Sequence, residues 1–153
     1  MRCCLPILLA LLVAAAATAG WECVGPEGGP ITHLARSTVD DHTLYALSGT
    51  YPFNVLRSED DGQSWETVGS CNGYPYGMDV GAGDAIWVGG AGAVYVSDDG
   101  GYTWTTHSQS YHYLYSIAAD PDDPDVAHAC GYVYDSGNYN MAAMTTDDGG
   151  ASW

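Results

Sequence analysis

The feature that most constrains this chain is an octet of turn residues closed by a tryptophan, which occurs three times. The copies are Ser58–Trp65 (SEDDGQSW), Ser97–Trp104 (SDDGGYTW) and Thr146–Trp153 (TDDGGASW). All obey Ser/Thr-x-Asp-x-Gly-x-Ser/Thr-Trp, and their starts at 58, 97 and 146 lie 39 and 49 residues apart. Self-similarity at such a period is the mark of stacked supersecondary units. The third-position carboxylates, Asp60, Asp99 and Asp148, can accept bonds from backbone N–H groups of their own turn, as Asx-turns do. The fifth-position glycines, Gly62, Gly101 and Gly150, can take positive φ at little steric cost. Hydroxyls at the first position (Ser58, Ser97, Thr146) and the seventh (Ser64, Thr103, Ser152) can close the remaining bonds. Trp65, Trp104 and Trp153 then open the next strand, and each is expected to bury its ring where one unit meets its neighbour.

More than the octet repeats. Leu34–Ala46 (LARSTVDDHTLYA) aligns without gaps to Ile117–Ala129 (IAADPDDPDVAHA), each a short apolar strand, an acidic turn and a second strand. The middle repeat keeps the plan in Met78-Asp79-Val80, Gly81–Asp84 and Ala85–Val88. A third strand precedes each octet, clearest at Ala93–Val96, and a fourth follows it, as at Trp65–Val68. No stretch carries an apolar period of 3.6 over ten or more residues, so helix is not expected in the mature chain. Four short strands per 40-odd residues, joined by Gly-rich turns, predict an all-β fold of antiparallel β-propeller blades. About three blades are expected, with repeats at 21–64, 65–103 and 104–152.

The octet resembles the Asp-box, or bacterial neuraminidase repeat, of sialidases, xyloglucan hydrolases, sortilin-type receptor ectodomains and a photosystem II assembly factor. Val24–Ile31 (VGPEGGPI), with Leu34-Ala35 and Leu44-Tyr45-Ala46, also resembles first blades of that superfamily. The resemblance spans essentially residues 21–153. It implies a propeller and leaves function open, because Asp-boxes are structural turns away from active sites.

Trp21–Gly25 (WECVG) matches Trp65–Gly69 (WETVG), a fourth strand with no blade of its own before it. At the other end Trp153 closes an octet with no strand after it. The expectation is an incomplete ring, completed by further blades or by another copy of the chain.

Residues 1–19 read as a secretory signal: Arg2, an apolar run from Leu5 to Ala16, then Ala17-Thr18-Ala19 as the small-x-small cleavage site. The run falls short of the roughly 18 apolar residues that span a bilayer. The mature chain, residues 20–153, is therefore expected outside the cytoplasm, free of the membrane. It keeps only Arg36 and Arg57 as fixed cations against 19 Asp and Glu, and the whole sequence has a formal charge of −16. Such a surface repels nucleic acid and anionic membranes, both of which are bound through Lys and Arg. Cys23, Cys71 and Cys130 survive cleavage, an odd number that leaves at least one without a partner among them.

If the octets and the acidic turns share one face of the disc, the other connections share the opposite face. Those connections carry aromatic residues: Tyr51 and Phe53 between a second and third strand, Tyr132 and Tyr134 in the Gly131–Tyr139 loop. Between blades lie Tyr74 and Tyr76, then Tyr111 and Tyr113. A rim of aromatics suits stacking on sugars or gripping a peptide. Enzymatic readings fare worse. The sialidases use three arginines to clamp a carboxylate, and two cannot supply that clamp. In the xyloglucan hydrolases a catalytic Asp follows a Tyr-Ala strand, where this chain has Tyr45-Ala46-Leu47-Ser48-Gly49-Thr50 with no acid. No pair of carboxylates suited to glycoside hydrolysis is recognisable. Asp120–Asp125 lacks the spacing of an EF-hand loop, and His107 with His112 has no third ligand nearby. No metal, cofactor or phosphate loop is expected. The sequence thus predicts a secreted, non-enzymatic module that binds a glycan or protein or acts as a scaffold. The alternative is a part of a glycoside hydrolase whose catalytic residues lie elsewhere.

Overall fold

The computed structural model describes Gly25 and residues 29–153; the expected signal peptide, and all but Gly25 of the strand expected at Trp21–Gly25 with its Cys23, lie outside the described residues. The described chain is all-β. In order come β1 (Ile31–Arg36), β2 (Leu44–Ser48), β3 (Phe53–Ser58), β4 (Glu66–Cys71), β5 (Pro75–Val80), β6 (Ile86–Ser97), β7 (Thr105–Ala119), β8 (Ala127–Asp135) and β9 (Asn138–Thr146). A single 3-10 turn, Ala82–Asp84, separates β5 from β6. Every pairing is antiparallel, in one sheet ordered β1-β2-β3-β4 and a second ordered β5-β6-β7-β8-β9.

Two of the strands do double duty. Twelve extended residues would set the ends of β6 roughly 36 Å apart. Yet the Gly101 N–H is bonded to Ser97 Oγ at 2.8 Å, and Ile86 Cδ1 stands 3.5 Å from where a Gly101 Cβ would be. The chain must therefore fold back within β6, and Gly92, at φ 75°, supplies the left-handed residue for the turn. The first half of β6 pairs with β5, and Ala93–Val96 pairs with Thr105–Ser108 of β7. The second half of β7 pairs instead with β8. So β7 runs from the last strand of one unit straight into the first strand of the next, and Tyr111-His112-Tyr113 lies within it rather than in an inter-blade loop. The pairings define two four-stranded units and a third in which three strands are described.

The units stack side by side with their first strands innermost: β1 packs beside β5, and β5 beside β7. Each junction holds its own core. At the first, Tyr45, Leu47, Phe53 and Val55 meet Ile86, Val88 and Tyr95, with Trp104 against them. Phe53 makes edge contacts with the Tyr95 ring at 5.3 Å and the Trp104 ring at 6.5 Å. At the second, Trp87 and Val94 meet Leu114, Ile117, Ala127 and Ala129, and the Trp87 and Trp153 rings meet near-perpendicular with centres 6.3 Å apart. Each fully buried large side chain contributes about 1.5–3 kcal/mol of transfer free energy. The middle unit is covered on both faces, so Ile86 to Gly90 is buried without a break. In β8 burial alternates, because only one face of the third unit is covered.

The octets are the turns from β3 to β4, from β6 to β7 and from β9 onward. In each, the first hydroxyl donates to the Asp carboxylate at 2.8–2.9 Å and accepts the N–H of the fifth-position glycine at 2.8–3.0 Å. The seventh residue donates both its N–H and its hydroxyl to the same carboxylate at 2.6–2.9 Å. The Trp indole N–H then donates back to the glycine carbonyl at 2.8–3.1 Å, which fixes the angle of the ring. Among the described residues Trp65 belongs to neither junction core.

This donor set holds the octet carboxylates in their charged form. The Ser64 hydroxyl and N–H bring Asp60 down to about 2, and the Ser152 hydroxyl and N–H bring Asp148 down to about 2. The Thr103 N–H and hydroxyl lower Asp99 as well. An unfolded Asp titrates near 3.9, so the contribution of these bonds is fully present above about pH 4 and is lost as pH falls toward 2. The thermal midpoint is therefore expected to hold from pH 6 to 4 and to drop steeply between pH 4 and 2. Ser64→Ala should shift part of that drop to higher pH. A midpoint flat down to pH 2 would show that the carboxylates do not secure the turns.

Candidate binding face

Hydrogen bonds between connections sort them onto two faces. On one, the Asp61 N–H donates to the His42 carbonyl, and the His42 ring and the Asp61 carboxylate meet at 2.9 Å. On the same side the Gly149 N–H donates to the Asp125 carbonyl, and the Ala82 N–H to the Asp120 carbonyl. The octets and the acidic turns thus form a single polar face.

That face also holds a buried clasp. Asp84, only 8% exposed and in the left-handed region at φ 64°, reaches from the second unit into the first. It accepts the Ser37 hydroxyl at 2.8 Å, the Thr38 N–H at 2.8 Å and the Tyr45 hydroxyl at 3.0 Å. The Thr38 hydroxyl donates to the Gly81 carbonyl at 2.6 Å beside it. By sequence Gly81–Asp84 is an ordinary turn between two strands. An Asp at the point where turns of two neighbouring repeats must touch is the signal that could have marked it.

The opposite face carries the tyrosines. Here the Ala91 N–H donates to the Tyr74 carbonyl, tying the turn in β6 to the connection between β4 and β5. The Tyr51 and Tyr74 rings, from the first unit and the link to the second, sit 5.0 Å apart and are 57% and 50% exposed. Tyr76 of β5 stacks on Tyr115 of β7 at 5.1 Å with the planes only 16° apart. The Tyr115 and Tyr132 rings meet near-perpendicular with centres 5.7 Å apart. Burial pushes the Tyr76 phenol up, and the neighbouring tyrosines add to that shift. Tyr113, Tyr115, Tyr132 and Tyr139 line a cleft of about 450 Å³. The connections on this face, residues 49–52, 72–74, 91–92 and 136–137, contain no carboxylate.

Phe53, grouped with the rim on sequence grounds, differs: it is fully buried at the first junction, because as the first residue of β3 it points into the core. Tyr132 and Tyr134 stand in β8 rather than in a loop, since the hairpin closes through Ser136 and Gly137 at φ 49° and 88°, a two-residue turn of the type that suits strand twist. The two lie on the outward face of the third unit, with Tyr134 5.1 Å from Tyr139. The Tyr111 side chain lies outside the described residues. Tyr139 stands in β9 rather than in the 131–139 loop expected to carry it. Tyr115 is the addition the structure makes to the rim, and it continues the Tyr-x-Tyr alternation of 111 and 113.

Among the described residues no group of three or more His, Cys, Asp or Glu is placed to hold a metal ion. Cys71 is buried and Cys130 exposed, neither in a disulfide with the other, and burial pushes the Cys71 thiol up to about 11. No helix among the described residues is long and apolar enough to cross a membrane.

No protein-family model matches the chain, and no curated protein matches its sequence. Solved structures do. The GH74 xyloglucanase of Xanthomonas campestris superposes with a TM-score of 0.55 at 15% identity, over 78% of this chain and 22% of the enzyme. A GH74 enzyme of Niastella koreensis superposes with a TM-score of 0.56 at 19% identity, over 80% of this chain and 22% of its own length. The chain thus spans about a fifth of the structures it matches. At such identities the likeness speaks for architecture alone, and together with the stacked antiparallel units it makes this chain a β-propeller-type fold.

Proposed function

We propose that the chain is an exported propeller module that binds an extended glycan across its tyrosine-bearing face. The observation that carries this reading is the set of paired rings, Tyr51 with Tyr74 and Tyr76 with Tyr115, which spans all three units and leaves Tyr51, Tyr74 and Tyr115 exposed. Sugar rings present flat apolar C–H faces, and tyrosine offers a matching flat surface with a hydroxyl at its rim. An acidic, lysine-free mature chain favours a neutral ligand over a polyanion. The three octets are read as Asp-boxes, turns that hold the units in place beneath that face.

Retention on immobilised neutral polysaccharides, xyloglucan among them, tests the proposal. Tyr51→Ala with Tyr74→Ala is expected to weaken retention about tenfold or more, since each stacked ring supplies roughly 0.5–1.5 kcal/mol beyond its buried area. Unchanged retention in the double variant, or none in the parent chain, counts against the reading.

A second reading, that the chain is part of a glycoside hydrolase, is favoured by its likeness to two GH74 enzymes over about a fifth of their length. Inverting and retaining hydrolysis both need two flanking carboxylates. Those would have to come from outside the connections of the tyrosine face. Release of reducing sugar from a polysaccharide by this chain itself would favour the second reading over the first.

A further inference from the structure

We propose that the polar face holds a binding site for an arginine side chain of a partner protein, in the cleft where the second unit meets the third. The inference is independent of glycan binding, because it uses the face opposite the tyrosines.

The cleft measures about 340 Å³ and lies among three turns. Ala82, Gly83 and Ala85 come from the connection between β5 and β6, Asp98 from the second octet, and Pro124 from the turn between β7 and β8. The first and last of these turns are fastened together by the bond from the Ala82 N–H to the Asp120 carbonyl, so the junction itself holds the walls in place. Ala82, Ala85 and Pro124 supply apolar walls, and Asp98 is the charged side chain among them.

Most of the surrounding carboxylates are engaged. Asp99 accepts the Ser97 hydroxyl and both donors of Thr103. Asp120 accepts the N–H groups of Asp122 and Asp123 at 2.8 and 3.1 Å, and Asp123 accepts that of Asp125 at 3.1 Å. Asp98 is exposed and takes no donor among the described residues.

The first junction shows what such a place accepts. Counted along the octets, Arg57 and Glu59 of the first correspond to Val96 and Asp98 of the second. Arg57 is paired with Glu59, stands 4.0 Å from Glu66 and is only 22% exposed. Val96 ends in two methyl groups and cannot do the same. One carboxylate position is thus neutralised from within the chain at the first junction and open to a cation from outside at the second.

Arginine suits that opening. Its guanidinium is flat and weakly hydrated and gives a carboxylate two parallel N–H donors, while its methylene stem packs on apolar walls. Pockets for whole small molecules run from about 300 to 1,000 Å³, so this cleft, at the small end, matches one side chain. Exposed Asp122 and Asp123 in the adjoining turn add negative potential that draws in a basic surface before contact. The occupant is therefore an arginine on an exposed loop of a basic protein.

Amide NMR shifts of the isotope-labelled chain, titrated with a capped Gly-Arg-Gly peptide and with its citrulline counterpart, test the proposal. The arginine peptide should shift Ala82, Gly83, Ala85 and Asp98. Citrulline has nearly the same shape without the charge and should shift none of them. Asp98→Asn should weaken arginine binding about fivefold, the worth of a partly exposed ion pair. Asp122→Asn removes the same charge from the same face outside the cleft, and should weaken it by less than about twofold through the screened field alone. Both side chains are exposed, so far-UV circular dichroism should stay unchanged. No shift with the arginine peptide overturns the proposal, as does an equal response to citrulline. Equal weakening by the two variants also overturns it, because the face would then attract cations diffusely.

Discussion

Asp84→Ala is expected to lower the stability of the chain by about 3 kcal/mol. Two effects combine. The carboxylate is buried and takes bonds from Ser37, Thr38 and Tyr45, all on the neighbouring unit. Removing it leaves a hydroxyl, a backbone N–H and a phenol without their acceptor, and each buried unsatisfied group costs about 1–3 kcal/mol before relaxation and water recover part of it. Asp84 also sits at φ 64°, a conformation in which Asp is tolerated and Ala costs about 1 kcal/mol. Asp84→Gly separates the effects, since glycine is at ease at that φ yet offers no acceptor. It should be less damaging than Ala by about 1 kcal/mol. Asp84→Asn keeps one acceptor oxygen and the left-handed tolerance, and should cost least. Urea unfolding measures all three as shifts of midpoint at constant slope. An Ala variant within about 1 kcal/mol of the parent would falsify the role of this carboxylate in joining the first two units.

Trp87→Ala should cost about 4 kcal/mol, in the range for emptying a buried large aromatic site. Trp87 is fully buried between the second and third units, with the Trp153 ring near-perpendicular to its own and the Gly150 backbone against it. A Cβ on Gly150 would stand 3.2 Å from Trp87 Cζ3, so the glycine is needed as much for close approach as for its φ of 89°. Truncating the indole removes the surface on which the third octet rests. The loss should be local in its first effect: amide exchange in β8 and β9 should quicken before that in β1 to β4. Trp87→Phe is the control. The indole Nε1 is buried with no partner among the described residues, so phenylalanine gives up ring area without breaking a bond. It should cost only about 1 kcal/mol. Equal losses for Ala and Phe would mean that ring volume is not what holds the third unit.

The tyrosine face has a clearer logic once the junctions are understood. Units stacked by their inner strands bring their connections together at two rims. The polar rim is occupied by turns that bond one another. The other rim is left to Tyr51, Tyr74, Tyr76 and Tyr115, whose rings reach across from unit to unit. A ligand lying along them would touch every unit at once. Changes at the junctions should therefore weaken binding without altering a contact residue.

The all-β class was legible in the chain. Turn octets at regular spacing, short apolar runs and the lack of a helical period leave antiparallel units as the way to satisfy the backbone. Such signals are local: the donors and acceptors of a turn lie within eight residues, so the sequence carries them whole. What the sequence could not tell was which side of a strand meets a neighbour. Phe53 reads like the tyrosines around it, yet it is buried because β3 begins at that residue and fixes its direction. Asp84 reads like any turn acid, and only the approach of Ser37 and Tyr45, some forty residues back, makes it a clasp. Tyr132 reads as a rim aromatic in a loop, and Met141 as an ordinary strand residue. Only the pairing of β8 with β9 puts the two opposite each other on the outward face of the third unit, where Met141 is 88% exposed. Local chemistry decides how each hairpin turns, because its hydrogen bonds close over a few residues. Burial is decided by tertiary structure, because a face is hidden only when a distant part of the chain arrives to cover it.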